Sequence, residues 1–266
     1  MNSSAGDLVL VVDTSWVRVV TLNRADQLNA FNQALCAALT RELTLAAADE
    51  AVHVMVVTGA GRAFSAGTDL LELWENGDFR GTPEDPDLFD GLIDALVGFP
   101  KPLICAVNGL AIGIGATMLG LADLVICGQT VRLRCPFTKL SLVPEAGASV
   151  TFPLLLGRQA AAWMLLSSEW IDADEAKSNG LVWKVVPDDD VLEEALVIAQ
   201  GLAQHPLESL VASKRLLTAP FSTALAEART RENAAFDVLL NAPAHREAVA
   251  AFASKREPST SGGPSD

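Results

Sequence analysis

Backbone amides are the first candidates for chemistry in this sequence. Over residues 103–123 (LICAVNGLAIGIGATMLGLAD) a run with the character of a buried strand meets a glycine-punctuated turn at 108–115, and a helical stretch begins near Gly115. Glycines at such a joint let the backbone approach a ligand closely, and the first amides of a helix have no intrahelical partner. The chemistry suited to such amides is the holding of an oxyanion. A second glycine turn leading into a helix lies at 63–73 (AFSAGTDLLEL), after the apolar run 52–57 and its turn at 58–61.

Side chains add less. His53, His205 and His245 stand without a plausible Ser or Cys partner for nucleophilic catalysis. Cys36, Cys105, Cys127 and Cys135 sit in or beside apolar runs, with neither metal-ligand spacing nor a secreted framework, so we expect reduced, buried thiols of a cytoplasmic protein and no metal. Asp123 reads as a structural cap or turn acid, and Glu72 and Glu75 as the solvated face of a helix.

The elements that must position these groups are bounded by composition. With 266 residues, half of them hydrophobic, the chain buries a substantial core, and one large domain with an appendage is the default. The net charge of −14, from 19 basic and 33 acidic residues, argues against a nucleic-acid or anionic-membrane surface. An anionic ligand must then be met by a local cluster of Arg and Lys. Residues 103–126 carry only Asn108, Thr117 and Asp123 as polar groups, and Gly109 and Gly113 mimic a helix-dimer motif, so a membrane span is the competing reading. Asn108 beside glycine breaks that helix, and Pro100 and Pro102 fix its entry, so no span is expected. The start, MNSSAGDLVLVV, lacks the basic and long apolar regions of a signal peptide, and 257–266 is Pro/Ser/Gly-rich, with the composition of a disordered tail.

Along the chain, 8–12 and 16–22 read as a hairpin about Asp13-Thr14-Ser15. Asn29 is the expected cap of a helix through Ala48, with Phe31, Leu35, Leu39 and Leu43 recurring every four residues. Residues 76–87 read as a loop and 88–98 as a helix. The strand, glycine turn and helix around 57–71 are echoed around 107–119, a weak ββα repeat. Short strands at 124–127 and 131–134 flank a Gly128-Gln129 turn, and Pro144 is expected to open a helix through Leu156. Asp172 and Glu175 resemble a capping box with Gly180 as its stop, 181–186 is a strand, and from Val191 the chain reads as helices broken at Pro206 and Pro220, with long pieces at 222–240 and 244–256.

Several motifs in order carry a resemblance. Leu22-Asn23-Arg24 with Leu28-Asn29-Ala30, the run 62–70 (RAFSAGTDL), 106–109 (AVNG) with Ala122-Asp123, Gly157-Arg158 and 173–182 (ADEAKSNGLV) together resemble the crotonase (enoyl-CoA hydratase/isomerase) superfamily over nearly the whole chain. The resemblance implies an α/β fold: a crotonase-like spiral of repeated ββα units over 1–200 with the CoA and acyl pocket, a C-terminal helical trimerisation region over 201–256, and the tail 257–266. It implies an acyl-CoA substrate, a homotrimer or a hexamer of paired trimers, and no cofactor beyond the CoA thioester itself.

Carried onto this sequence, the family's two oxyanion amides fall at Thr68 and Ile114. Arg24, Leu28, Arg62, Ala66, Gly67, Asp69, Leu70, Phe252 and Lys255 fall at CoA-contacting positions, and Trp74, Phe137 and Leu142 are assigned to the acyl pocket. Hydratases of the family use two glutamates, and at those positions stand Thr117 and Phe137, neither of which transfers a proton near neutral pH. Glu145, in Val143-Pro144-Glu145, falls where Δ3,Δ2-enoyl-CoA isomerases carry their catalytic base. The expected reaction is migration of a double bond from C3 to C2, with hydration, another acyl-CoA reaction, or noncatalytic acyl-CoA binding as alternatives. As the second residue of a helix, Glu145 would be stabilised by the dipole whatever its function; the dipole would lower its pKa and burial would raise it.

Overall fold

The computed structural model describes residues 7–70 and 88–254, with the side chains of residues 252 and 253 left aside. Two sheets form its frame. A six-stranded sheet takes β1 (Val9–Thr14), β2 (Val17–Leu22), β3 (Val54–Gly59), β5 (Leu103–Val107), β7 (Leu124–Gly128) and β10 (Lys184–Val186) in that spatial order. A four-stranded sheet takes β4 (Ala63–Ser65), β6 (Leu110–Ile112), β8 (Arg132–Arg134) and β9 (Trp170–Asp172). Only the end pairs β1–β2 and β8–β9 are antiparallel.

The chain lays one strand in the large sheet, one short strand in the small sheet, and then a helix. β1 and β2 depart from this by pairing with each other before α1 (Gln33–Ala48); β5 and β6 precede the short α3 (Ile114–Thr117), and β7 and β8 precede α4 (Ala148–Leu156). Each turn of this path places its β3, β5 or β7 strand parallel to the last, which winds the chain into a spiral. The echo between 57–71 and 107–119 is therefore one step of that spiral. The strands expected at 124–127 and 131–134, adjacent in sequence, are β7 and β8, and they join different sheets.

Hydrophobic period explains the layers. β3 and β5 are buried along their whole length, the pattern of parallel strands covered on both faces. Their alternate residues Met55, Val57, Leu103, Cys105 and Val107 join the core that holds Leu35, Leu39 and Leu43 of α1 and Leu92, Ile93 and Leu96 of α2 (Leu88–Gly98). The other set, Val54, Val56, Ile104 and Ala106, packs on Val191, Ala195, Ala199 and Ala203 of α7 (Val191–Ala203). The remaining helices are α5 (Arg158–Ser167), α6 (Ala173–Ser178), α8 (Leu207–Thr218), α9 (Ser222–Leu240) and α10 (Pro243–Ala253). No described helix is long and apolar enough to cross a membrane; residues 103–123 are strand, turn and short helix instead.

Local signals mostly fall where expected. Asp172 caps α6 by accepting from the Glu175 amide at 2.9 Å, and Gly180 follows with φ +91°. Asp123 is structural: its Oδ2 accepts from the Leu103 amide and from Lys214 Nζ, each at 2.7 Å.

Asn29 is a correction. The cap of α1 is Asn32, which accepts from the Leu35 amide at 2.9 Å. Asn29 is fully buried instead, and ties three loop segments by accepting from the Arg24 amide at 2.9 Å and donating to the Ala60 and Ala63 carbonyls at 2.9 and 2.8 Å. Its φ of +55° lies in the left-handed region that asparagine tolerates better than most residues. Asn29→Ala orphans these buried groups, so a loss of about 3 kcal/mol is expected, measured as a lower urea midpoint at unchanged slope.

Candidate active site

The two glycine turns meet because β4 and β6 are parallel neighbours, with Ala63 opposite Leu110 and Ser65 opposite Ala111. Their C-terminal ends therefore lie side by side. Gly67 has φ +88°, and a Cβ placed there would lie 2.7 Å from the Ile112 carbonyl oxygen and 3.7 Å from Gly113 Cα. Gly113 has φ +54° and ψ −122°, a conformation left to glycine. The next residue in each turn is Thr68 or Ile114. Neighbouring amides are bonded, Gly67 to Ser65 Oγ, Asp69 to the Phe31 carbonyl and Gly113 to the Arg134 carbonyl. The amides of Thr68 and Ile114 have no partner among the described residues.

Glu145 arrives from the loop between β8 and α4. Its side chain is buried, and its Oε1 accepts from Thr117 Oγ1 at 2.9 Å, one turn beyond Ile114 on α3. Phe137, Leu142, Ala146 and Ile114 belong to the same apolar cluster. Burial pushes the Glu145 carboxyl up to about 8; the Thr117 hydrogen bond works against this, and the negative charges of Glu232 and Asp90 add to it. The balance between helix dipole and burial thus falls to burial.

One reason is a correction to the expected helix start. α4 begins at Ala148 and not at Pro144, so Glu145 is no second helical residue: its carbonyl accepts from the Ala148 amide. The free amides at that terminus are taken by Glu232 of α9, whose Oε2 accepts from Gly147 at 2.7 Å and whose Oε1 accepts from Ser149 at 2.8 Å. These bonds fasten a loop that holds Ala146 at φ +58° and Gly147 at φ +76°. His245 of α10 steadies its other end through the Leu140 carbonyl at 2.8 Å. Sequence reasoning missed Glu232, and no signal marks it, since a glutamate in an amphipathic helix ordinarily reads as solvated.

The positions expected to contact CoA divide. Leu28, Ala66, Gly67 and Asp69 come together with Arg24 around the Phe31–Thr68 bridge, where the Ala66 amide bonds the Leu28 carbonyl at 2.9 Å. Arg24 and Asp69, however, face each other: the guanidinium meets the carboxylate at 3.0 Å and also the Ala30 carbonyl, and both side chains are largely buried. Arg62 is exposed on its turn, and Leu70 is half-buried. Trp74 and Lys255, with Glu72 and Glu75 and the expected loop at 76–87, lie outside the described residues, as does the Phe252 side chain.

All four cysteines are buried and in no disulfide, and burial pushes the Cys105 and Cys127 thiols up to about 12. Among the described residues no cluster of three His, Cys, Asp or Glu has the arrangement to hold a metal ion. A cavity of about 1250 Å³ opens between α1 and α8, sharing no lining residue with the glycine turns or Glu145.

This two-sheet spiral has solved counterparts. An enoyl-CoA hydratase/isomerase from Pseudoalteromonas atlantica T6c superposes with a TM-score of 0.88 at 35% identity, covering 94% of this chain and 98% of that one. Enoyl-CoA hydratase EchA8_6 from Mycobacterium marinum superposes at 0.76 with 51% identity, covering 80% of this chain and 100% of that one. In sequence, the chain is 38% identical to 2,3-dehydroadipyl-CoA hydratase of Escherichia coli K12 over 92% of its length and 95% of the relative's. It is 33% identical to 1,2-epoxyphenylacetyl-CoA isomerase of the same organism, over 92% of this chain and 95% of that relative. The fold is the α/β crotonase spiral that the motifs implied, and its class is that of acyl-CoA-processing enzymes. A family model described as enoyl-CoA hydratase/isomerase matches residues 13–262, and the chain belongs to that family.

Proposed function

We propose that the protein moves a double bond from C3 to C2 of an unsaturated acyl-CoA through a thioester enolate. The observation that carries this reading is the buried Glu145 carboxyl, one turn from the free Ile114 amide through its bond to Thr117. The ionised carboxylate takes a proton from C2. The C–H electron pair passes into the thioester, and the oxyanion is held by the Thr68 and Ile114 amides; each such donor is worth about 3–4 kcal/mol in the transition state. The protonated carboxyl then returns the same proton to C4 while the double bond closes between C2 and C3. A carboxyl pushed up to about 8 serves both halves near neutral pH, because it ionises and reprotonates at comparable cost.

Thr117 and Phe137 argue against hydration, which needs a second acid or base where these residues stand. The reaction shifts a proton and electrons within one substrate and calls for no cofactor. CoA would be met by the segment Arg24, Leu28, Ala66, Gly67, Asp69 and Leu70, by exposed Arg62, and by Phe252 and Lys255. Assembly into a trimer through the C-terminal helices is supported by the exposure of Leu216 and Leu217 on α8 and Val238 on α9. Product analysis after incubation with 3-enoyl-CoA and, separately, 2-enoyl-CoA tests the reading. Expected is 2-enoyl-CoA from the first and negligible 3-hydroxyacyl-CoA from either. Robust water addition would overturn it in favour of a hydratase, and binding without turnover in favour of a noncatalytic protein.

A further inference from the structure

We propose that the Thr117 hydroxyl is a relay that couples the Glu145 carboxyl to the Gly113–Ile114 peptide, strengthening the Ile114 amide as a donor when charge develops on the substrate. The inference rests on the isomerase reading above and deepens it. Thr117 is wholly buried, and its Oγ1 lies 2.9 Å from Glu145 Oε1 and 3.3 Å from the Gly113 carbonyl oxygen. A hydroxyl has one proton and cannot donate to both. With Glu145 ionised, that proton goes to the carboxylate, the stronger acceptor. With Glu145 protonated, the carboxyl donates to Thr117 Oγ1, and the threonine proton turns to Gly113.

The Gly113 carbonyl and the Ile114 N–H belong to one conjugated peptide group. A donor on its oxygen draws electron density from its nitrogen, so the N–H becomes a better donor in turn. Glu145 gains its proton in the same step that creates the enolate. The relay therefore tightens the grip on the oxyanion as the charge appears, and relaxes it when the proton goes to C4. Threonines often bond back to the carbonyl four residues earlier. The difference here is the second acceptor, a buried carboxyl that itself titrates.

The charged and titratable groups around Glu145 are Glu232 and Arg229 of α9, Asp90 and Asp94 of α2, the buried Cys135 thiol, and His245 on the Leu140 carbonyl. Thr117→Val keeps the volume and removes the hydroxyl, and Thr117→Ser keeps the hydroxyl. With 3-enoyl-CoA, Thr117→Val is expected to lower kcat about tenfold with KM within about twofold, and to move the acid limb of the pH profile up by about half a unit to one unit, because the carboxylate loses a donor. Thr117→Ser holds the limb at its wild-type position. Acetoacetyl-CoA, which enolises, reads the other end of the relay by its enolate absorbance. In Glu145→Gln the amide donates to Thr117 and fixes its proton on Gly113, so the enolate should bind about fivefold more tightly than in the Glu145→Gln/Thr117→Val double variant. An unmoved pH limb, or equal enolate affinity in those two proteins, overturns the relay. Failure of the wild-type protein to isomerise 3-enoyl-CoA overturns the isomerase reading itself, and full activity in Glu145→Gln removes Glu145 as its base, both separate results.

Discussion

Glu145→Gln is expected to abolish isomerisation, lowering kcat by about 10³-fold, while making the protein more stable at alkaline pH. The amide has the shape of the carboxyl and a hydrogen-bonding group for Thr117, but takes no proton from C2. The stability gain follows from linkage. The wild-type carboxyl titrates near 8 when folded and near 4.5 when exposed, so the folded state binds its proton more tightly. The stabilisation from that proton is complete below about 4.5 and is lost as pH rises through about 8, a cost approaching roughly 5 kcal/mol at the upper end. Glutamine has no such dependence. Urea titrations at pH 5 and pH 8.5 should show the two proteins close at the lower pH and the variant ahead at the higher one. A variant that still isomerises 3-enoyl-CoA would remove Glu145 from the chemistry, and a stability difference constant with pH would remove the buried proton.

Gly113→Ala carries the second large effect. Around a Cβ at this position the nearest atom is Gly67 Cα at 3.8 Å, so space is not the obstacle. The backbone is: φ +54° with ψ −122° costs an alanine about 1–3 kcal/mol. The strain is relieved most directly by turning the Gly113–Ile114 peptide, which swings the Ile114 amide off its line. We expect kcat to fall about 10²-fold or more with KM little changed, since the lost donor acts on the transition state. Gly91→Ala is the control: it lies inside α2 with no atom within 4 Å of an added Cβ, and the expected result is full activity and a gain of about 0.5–1 kcal/mol. Wild-type turnover in Gly113→Ala would dismiss the Ile114 amide as the oxyanion donor.

What the sequence made legible was what its neighbours in the chain decide. The helices Leu88–Gly98 and Ser222–Leu240 lie within the bounds read from apolar period and proline, and the Asp172 cap follows from residues three apart. The departures share a different cause. Asn29 and Asn32 are equal as caps, and the four-residue period runs back to Phe31; the bridge from Phe31 to Thr68, far along the chain, starts the helix at Gln33. Pro144 suits a first helical turn, but Glu232, 85 residues from Gly147, serves the terminus at Ala148 instead. Arg24 looked like a cation for phosphate because Asp69, 45 residues on, gave no sign of pairing with it. At the candidate site, the amide positions and Glu145 were read from motifs. The proton affinity of Glu145 was not, because it depends on burial and on charges from α2 and α9.

The grip of Glu232 on the Gly147 and Ser149 amides sets an order of events in the life of the molecule. A ribosome releases the glycine turns and the loop of Glu145 well before α9 leaves the exit tunnel. Until that helix docks, the N-terminus of α4 lacks its acceptor and the loop lacks its clasp, so a nascent or truncated chain ending before residue 232 is expected to stay inert, and competence waits on the arrival of α9.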